Sequence, residues 1–190
     1  MKEFRWPKKV PRLRTSRLIL REMVASDAAA YFRICADPLV MKTYGVSPHR
    51  NTDETRRLIR QLAQGFRNLE CLRWGIEDAG VLIGDIGFWR FVHVRARGEL
   101  GGKILPAYWN TGVMTEAMAG VIDYSFSKLG LHSVEGNIEP ANRGSHRLVE
   151  KLGFRKIGLI PGHSYSVTAK KYTDTVLYSL VASEWKKIKR

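Results

Sequence analysis

Residues 99–130 read ELGGKILPAYWNTGVMTEAMAGVIDYSFSKLG, and the fold turns on how this stretch is read. It opens as a short apolar strand, passes through a tight loop, Trp109-Asn110-Thr111-Gly112-Val113-Met114, and runs at once into a helix. Gly112 allows a positive φ and lets a ligand come close to the main chain. Thr115 is expected to cap the helix, with Glu116 in its first turn. Ala117, Met118, Val121, Ile122, Ser125 and Leu129 then recur at helical spacing, and Gly130 ends the run as a C′ residue. The first N–H groups of such a helix have no internal partner, and its dipole adds partial positive charge there. Strand, glycine loop and helix start together make a backbone-built site for phosphate. A single glycine in a single turn also fits a plain strand–turn–helix unit.

Residues 131–154, LHSVEGNIEPANRGSHRLVEKLGF, repeat the theme. Ser133 to Ile138 reads as a strand. Asn142 is a good N-cap, which puts Ser145 at N3. Leu148, Val149 and Leu152 form an apolar stripe, and Gly153 stops the helix. Arg143, Arg147 and Lys151 share another face at i, i+4 and i+8. They form either a solvated basic stripe or a seat for an anionic group.

Elsewhere the pattern is coarser. A strand is expected over 17–23 and a helix over 26–36, ended by Asp37-Pro38, with a loop of mixed polarity after it. Asn51 with Glu54 reads as a capping box for a helix to about Phe66, burying Leu58, Ile59, Leu62 and Phe66. Period two then takes over. Residues 73–77 and 81–90 form a hairpin across Asp78-Ala79-Gly80, and a strand over 97–105 leads into the loop–helix unit. Strands near 154–160 and 172–181 follow, with a loop over 163–171. The sum is a mixed sheet with helices on both faces, an α+β or layered α/β domain.

The two central segments resemble the acetyl-CoA motifs of the GCN5-related N-acetyltransferase (GNAT) superfamily, and within it the RimJ/RimL-type enzymes that act on ribosomal proteins. Glu99-Leu100-Gly101, Pro106 to Gly112, Thr115-Glu116-Ala117, Asn142 to Ser145 and Lys151 to Phe154 match that pattern in order. Leu13 to Arg21 looks like its opening strand, Tyr172 to Leu180 like its closing strand, and Glu184-Trp185 like its usual tail. Two positions depart. Trp109 stands where the wider superfamily has Gln or Arg, and Met114 replaces a small residue. The resemblance implies a mostly antiparallel sheet splayed in the middle, with acetyl-CoA in the cleft. It implies cofactor contacts at Ile104, Leu105, Trp109, Asn110, Thr111, Gly112, Val113, Met114, Thr115, Asn137, Asn142, Ser145, Arg147 and Lys151. It also places acceptor loops near residues 40–50 and 160–172.

Acetyl transfer to an amine sets chemical requirements. The amine must be neutral, although a lysine side chain titrates near 10.4 and an α-amino group near 8. The developing oxyanion needs N–H donors. Glu99, at the start of the strand that resembles the pantetheine-binding one, is the candidate base. Its alternative is an edge glutamate paired with Arg97 or Lys103. Asp85 and Asp174 are weaker candidates, and no motif demands His93, His132, His146 or His163. Ser145 is the candidate contact for pantetheine or the CoA sulfur, or else only an N3 residue. Many relatives protonate the thiolate with a tyrosine deeper in that helix, and none follows Ser145 here.

Composition narrows the class further. A chain of 190 residues is expected to form one domain, and a core of that size buries about 70% of the unfolded chain's surface without disulfides. Cys35 and Cys71 match no metal or redox spacing, and no metal is expected. No apolar run approaches the ~20 residues of a membrane span, so a cytoplasmic setting is expected. Formal net charge is +14. Lys2, Arg5, Lys8, Lys9, Arg12, Arg14, Arg17 and Arg21 stand against Glu3 alone. Residues 1–12 therefore read as a basic arm, 13–186 as the acetyltransferase domain and 187–190 as a basic tail. Such ends attract polyanions, or are simply solvated.

The expected activity is acetyl transfer from acetyl-CoA to a primary amine, foremost the α-amine of a protein or peptide such as a ribosomal protein. A small amine acceptor (polyamine, amino acid or antibiotic) is the alternative, and a non-catalytic RNA- or ribosome-binding protein of the same fold is a third reading. A P-loop is excluded, because no Lys-Ser/Thr follows the glycine. Oligomeric state leaves no mark in the sequence; a homodimer is compatible with it.

Overall fold

The computed structural model describes residues 3–188. Lys2, Lys189 and Arg190, part of the two basic ends, lie outside the described residues. Eight strands form one sheet: β1 (Leu13–Arg14), β2 (Leu18–Arg21), β3 (Leu72–Asp78), β4 (Val81–Val92), β5 (Arg97–Ile104), β6 (Ser133–Ile138), β7 (Arg155–Ser166) and β8 (Lys171–Val181). Their order is β1-β2-β3-β4-β5-β6-β8-β7, and β5–β6 is the parallel pair among antiparallel ones. The helices are α1 (Ala28–Cys35), α2 (Pro38–Lys42), α3 (Thr52–Arg67), α4 (Val113–Tyr124), α5 (Arg143–Lys151) and α6 (Ala182–Ile188).

Alternation along the strands sorts the core into two layers. Leu72, Trp74, Ile76, Ile86, Phe88, Leu100 and Ile104 face Val113, Ala117 and Val121 of α4, with Val149 and Leu152 of α5 in the same cluster. On the opposite face Tyr31, Ile34 and Cys35 of α1 pack with Ile59 and Leu62 of α3. Each large side chain fully buried this way contributes about 1.5–3 kcal/mol. The β3–β4 hairpin turns on Ala79 and Gly80, with φ of +47° and +82°. Two positive φ values in a two-residue loop suit the right-handed twist of the flanking strands.

The feature that makes the site is where pairing stops. β5 and β6 pair only at Arg97↔Ser133, Gly98↔Val134 and Glu99↔Glu135. Beyond Glu99, β5 stays with β4 as far as Ile104↔Gly84, and β6 stays with β8 as far as Ile138↔Val176. The sheet splays there, as the family resemblance implies.

Several local expectations need correcting. The α4 helix starts at Val113 with Gly112 as N-cap, so Thr115 is its third residue rather than its cap. Asp37-Pro38 ends α1 but also starts α2, because the Asp37 carboxylate accepts from Leu39 N and Val40 N at 2.8 and 3.2 Å. The capping box of α3 is displaced by one residue. Asn51 accepts from Glu54 N at 3.1 Å, while the Glu54 carboxylate takes Arg50 N at 2.8 Å. Leu58 and Phe66 are half-buried, and Thr55 and Gly65 share the buried face with Ile59 and Leu62. The 163–171 stretch is largely strand, since β7 runs to Ser166 before its turn.

The basic N-terminal stretch, in its described part, packs against the domain. Trp6 lies 5.5 Å from Phe66 and 5.0 Å from Phe91, Arg5 N donates to Leu129 O at 2.8 Å, and Trp74 Nε1 donates to Pro11 O at 2.6 Å. Lys8, Lys9 and Arg12 remain exposed. Among the described residues no helix is long and apolar enough to cross a membrane.

Candidate active site

The loop before α4 is braced by its own polar groups. The Trp109 indole donates to Ile104 O at 3.1 Å and Thr111 Oγ1 donates to Tyr108 O at 2.7 Å. Asn110 and Gly112 both take positive φ, +61° and +83°. The two turns bring the chain over the helix start with no side chain capping it. Glu116 N is the first to bond back, to Gly112 O at 3.0 Å. The N–H groups of Val113, Met114 and Thr115 therefore open into the space beside the loop. Trp109 and Thr111 are spent on bracing, so what they offer a ligand is mainly backbone. Met114 is half-buried against the core, which absorbs the larger side chain at that position.

At the splay lies a cleft of about 1010 Å³. Glu99, Gly101 and Gly102 of β5 line one side of it; Asn137, Asn142 and Ser145, from β6 and the start of α5, line another. The buried Asn137 Oδ1 has no hydrogen-bond partner among the described residues. An unmet acceptor in this wall suits an amide N–H of a pantetheine arm. Asn142 accepts from Ser145 N at 3.1 Å, so it is an N-cap first. Arg143, Arg147 and Lys151 are exposed on α5, while Ile104 is buried and Leu105 half-buried, its N–H donating to Ile83 O at 3.0 Å.

Glu99 is half-buried where the strands part. Neither expected partner holds it: Arg97 pairs with Glu135 at 3.1 Å and Lys103 with Asp85 at 3.0 Å. The second of these ion pairs removes Asp85 as a candidate base. Asp85 is fully buried, bonded to Arg73 through both Nε, at 2.8 Å, and Nη2, with the Lys103 ammonium 3.0 Å from its other oxygen. Burial would raise its pKa, but the two cations outweigh that and hold it below the usual carboxylate range. Asp174 stays at the cleft, yet one of its oxygens accepts from Gly162 N at 2.9 Å.

The histidines divide in the same way. His146 is tied to Tyr178 Oη and Glu139 O at 3.0 and 3.2 Å, His93 packs among Phe4, Trp6 and Phe91, and His132 is exposed outside the cleft lining. His163 is exposed on the cleft rim.

Both expected acceptor regions wall the cleft, through Tyr44 and Gly45 on one side and His163 to Ser166 on the other. They meet where Val167 N donates to Gly45 O at 2.8 Å. Tyr44 and Trp89, also in the wall, escape sequence reading. Trp89 carries the Arg73 guanidinium 3.9 Å over its ring, and a Cβ on Gly101 would sit 3.6 Å from the Trp89 Nε1 and 3.8 Å from the Tyr44 hydroxyl. The only available signal was an aromatic in each of two segments flanking a Gly-Gly strand.

A parted sheet with a carboxylate at the fork, one of whose parted strands leads through a glycine loop into an uncapped helix start, is the architecture of an acyl-CoA-dependent acyltransferase. The chain belongs to the GNAT acetyltransferase family: the Acetyltransferase (GNAT) domain matches residues 17–155. It is 35% identical over 173 residues to the N-acetyltransferase YoaA of Bacillus subtilis (strain 168), itself uncharacterized, which covers 90% of this chain and 97% of that protein. Its fold is similar to RimJ of Mycobacterium smegmatis in complex with CoA-disulfide (TM-score 0.83, 24% identity, 96% of this chain and 91% of that one). It is also similar to spermidine N-acetyltransferase of Vibrio cholerae in complex with CoA and spermine (TM-score 0.78, 22% identity, 90% and 99%). As a member of this family it is an N-acetyltransferase, and acetyl-CoA is the acyl donor.

Proposed function

We propose that this chain acetylates the α-amine of a protein or peptide N-terminus in the manner of the RimJ/RimL-type enzymes, with Glu99 as general base. The observation that carries the reading is Glu99 itself, without an ion-pair partner among the described residues, at the fork of β5 and β6 in a cleft wide enough for a chain end. Acetyl-CoA supplies an activated thioester carbonyl. The uncapped start of α4 would hold the diphosphate, and Asn137 Oδ1 would accept from the pantetheine arm. Past Glu99, β5 has no strand partner on its β6 side, so backbone N–H groups on that edge are available to an oxyanion. Glu99 takes the amine proton, directly or through water, and an α-amine near pKa 8 yields it more easily than a lysine. Ser145, at the cleft wall, would stand in beside the leaving sulfur for the tyrosine that this helix lacks. The exposed bases of the N-terminal stretch suit an acceptor associated with RNA, such as a ribosomal protein.

A small polyamine is the second reading, favoured by the carboxylates Glu70, Glu139 and Asp174 in the same cleft. A turnover screen with acetyl-CoA, peptide N-termini and spermidine separates the two. Glu99→Gln is expected to lower kcat by roughly 100-fold or more and to leave the Kd for acetyl-CoA nearly unchanged. Equal kcat for both proteins across the neutral range would reduce Glu99 to a structural residue.

A further inference from the structure

Glu116 poses a physical problem. It puts a carboxylate in the first turn of the helix whose start would receive a diphosphate, where a second anion is unwelcome. The structure shows where its charge goes. Oε1 accepts from Thr15 Oγ1 at 2.6 Å, Ser16 Oγ at 2.8 Å and Arg17 N at 2.8 Å, and Oε2 accepts from Arg17 Nε at 2.8 Å. Partial burial would raise its pKa, but these hydrogen bonds outweigh that and hold it at about 2. The negative charge is therefore fully present and fully engaged.

The engagement fixes Arg17. Its Nε is taken by Glu116, and its two Nη groups make no hydrogen bond or ion pair to any other described residue. The side chain is 51% exposed while that of Glu116 is 17% exposed, so the anchor is sheltered and the fork is open. The fork also points at the right place. For a Cβ built on Gly112, the nearest atom beyond the adjoining residues of the chain is Arg17 Nη2 at 3.8 Å. Gly112 is the N-cap, and the backbone donors of Val113 to Thr115 begin there.

We infer that Arg17 is a binding residue for the diphosphate of the acyl donor, and that Glu116 is the positioning residue that aims it. This inference rests on the assignment of the α4 start as the diphosphate site. Guanidinium Nη groups give directed, charge-assisted hydrogen bonds to phosphate oxygens. Backbone N–H groups from one side and the Nη fork from the other would clamp the group between β2 and α4. A residue far away in sequence thereby completes a site that reads as a local loop.

The test is calorimetry with CoA, 3′-dephospho-CoA and pantetheine on the wild type and on Arg17→Gln, with thermal unfolding alongside. Arg17→Gln is expected to weaken CoA and dephospho-CoA alike by roughly tenfold, and to leave the affinity for pantetheine, which has no diphosphate, unchanged. With acetyl-CoA as donor, KM rises and kcat at saturation stays the same. Arg17→Lys, which keeps charge but not the fork, loses less. Equal losses for all three ligands would make Arg17 a purely structural latch and overturn the inference, as would no loss for any. Gly112→Asp separates the levels: if that variant also binds CoA normally, the assignment of the α4 start fails; if it binds poorly while Arg17→Gln binds normally, only Arg17 is wrong. If Arg17→Gln does not fold, Arg17→Lys carries the same comparison.

Discussion

The two helices that follow the parted strands, α4 after β5 and α5 after β6, start in opposite ways. The α4 start has a left-handed Gly112 as N-cap, no capping side chain and a loop braced by Trp109 and Thr111. The α5 start is closed by Asn142, whose side chain takes Ser145 N. A capping hydrogen bond contributes about 1 kcal/mol, so a chain that omits one leaves donors open for something else. On the proposed reading the contrast makes α4 the end left for a ligand, while α5 satisfies its own start and would offer its flank, with Ser145 in the cleft and the exposed Arg147 and Lys151 farther along.

Adding a negative charge at the open end would break this contrast most sharply. Gly112→Asp should weaken acetyl-CoA binding at least tenfold, about 1.4 kcal/mol. Gly112→Asn is the control, because asparagine tolerates the left-handed region without adding charge. Titration calorimetry should show the aspartate variant losing clearly more than the asparagine one. Equal losses would mean that backbone strain, rather than charge at an anion site, is what the position controls.

The closed end should respond in the other currency. Asn142→Ala removes the cap of α5 and is expected to cost about 1 kcal/mol of folding stability, read by denaturant unfolding. Its acetyl-CoA affinity should stay within about threefold, less than the tenfold step of 1.4 kcal/mol. A large affinity loss with little change in stability would instead make Asn142 a ligand contact and erase the difference between the two starts.

How much of this was legible in the sequence follows from how local each signal is. Gly112, the Asn142 cap, the Ala79-Gly80 hairpin and the apolar stripes of α4 and α5 depend on residues a few positions apart, and periodicity and cap chemistry reveal them. The Thr115 cap failed for a local reason: Gly112 can itself be the N-cap, so the helix starts three residues earlier than a hydroxyl-based rule expects. Other features depend on where the sheet brings distant segments. Asp85 reads as a free carboxylate until β3 and β5 place Arg73 and Lys103 on it. Glu99 reads equally as a base or as an edge residue paired with Arg97 or Lys103, until the sheet pairs those two cations with Glu135 and Asp85. Arg17 lies nearly a hundred residues from Gly112, and no spacing rule links them. His163 to Ser166 reads as a loop because its residues are polar; pairing of Ser164 and Tyr165 with Thr173 and Tyr172 of β8 makes it strand.

The smallest expected effect probes the flank of α5. Arg143, Arg147 and Lys151 stand on one face and are exposed, and the structure gives them no ion pair among the described residues. If they meet the 3′-phosphate of CoA, they do so in solvent, where an ion pair contributes about 0.2–1 kcal/mol. Arg147→Gln should therefore weaken CoA by only about two- to fivefold at low salt. The loss should fade at high salt, because exposed charges are screened within about 3 Å at 1 M ionic strength. It should also vanish for 3′-dephospho-CoA, which lacks the group being contacted. Calorimetry with both ligands at two salt concentrations reads all three expectations together. A loss of the same size for dephospho-CoA would place Arg147 against another part of the ligand. No loss at low salt would make the stripe a solvated surface, and the donor would then be held at the α4 end without help from the α5 flank.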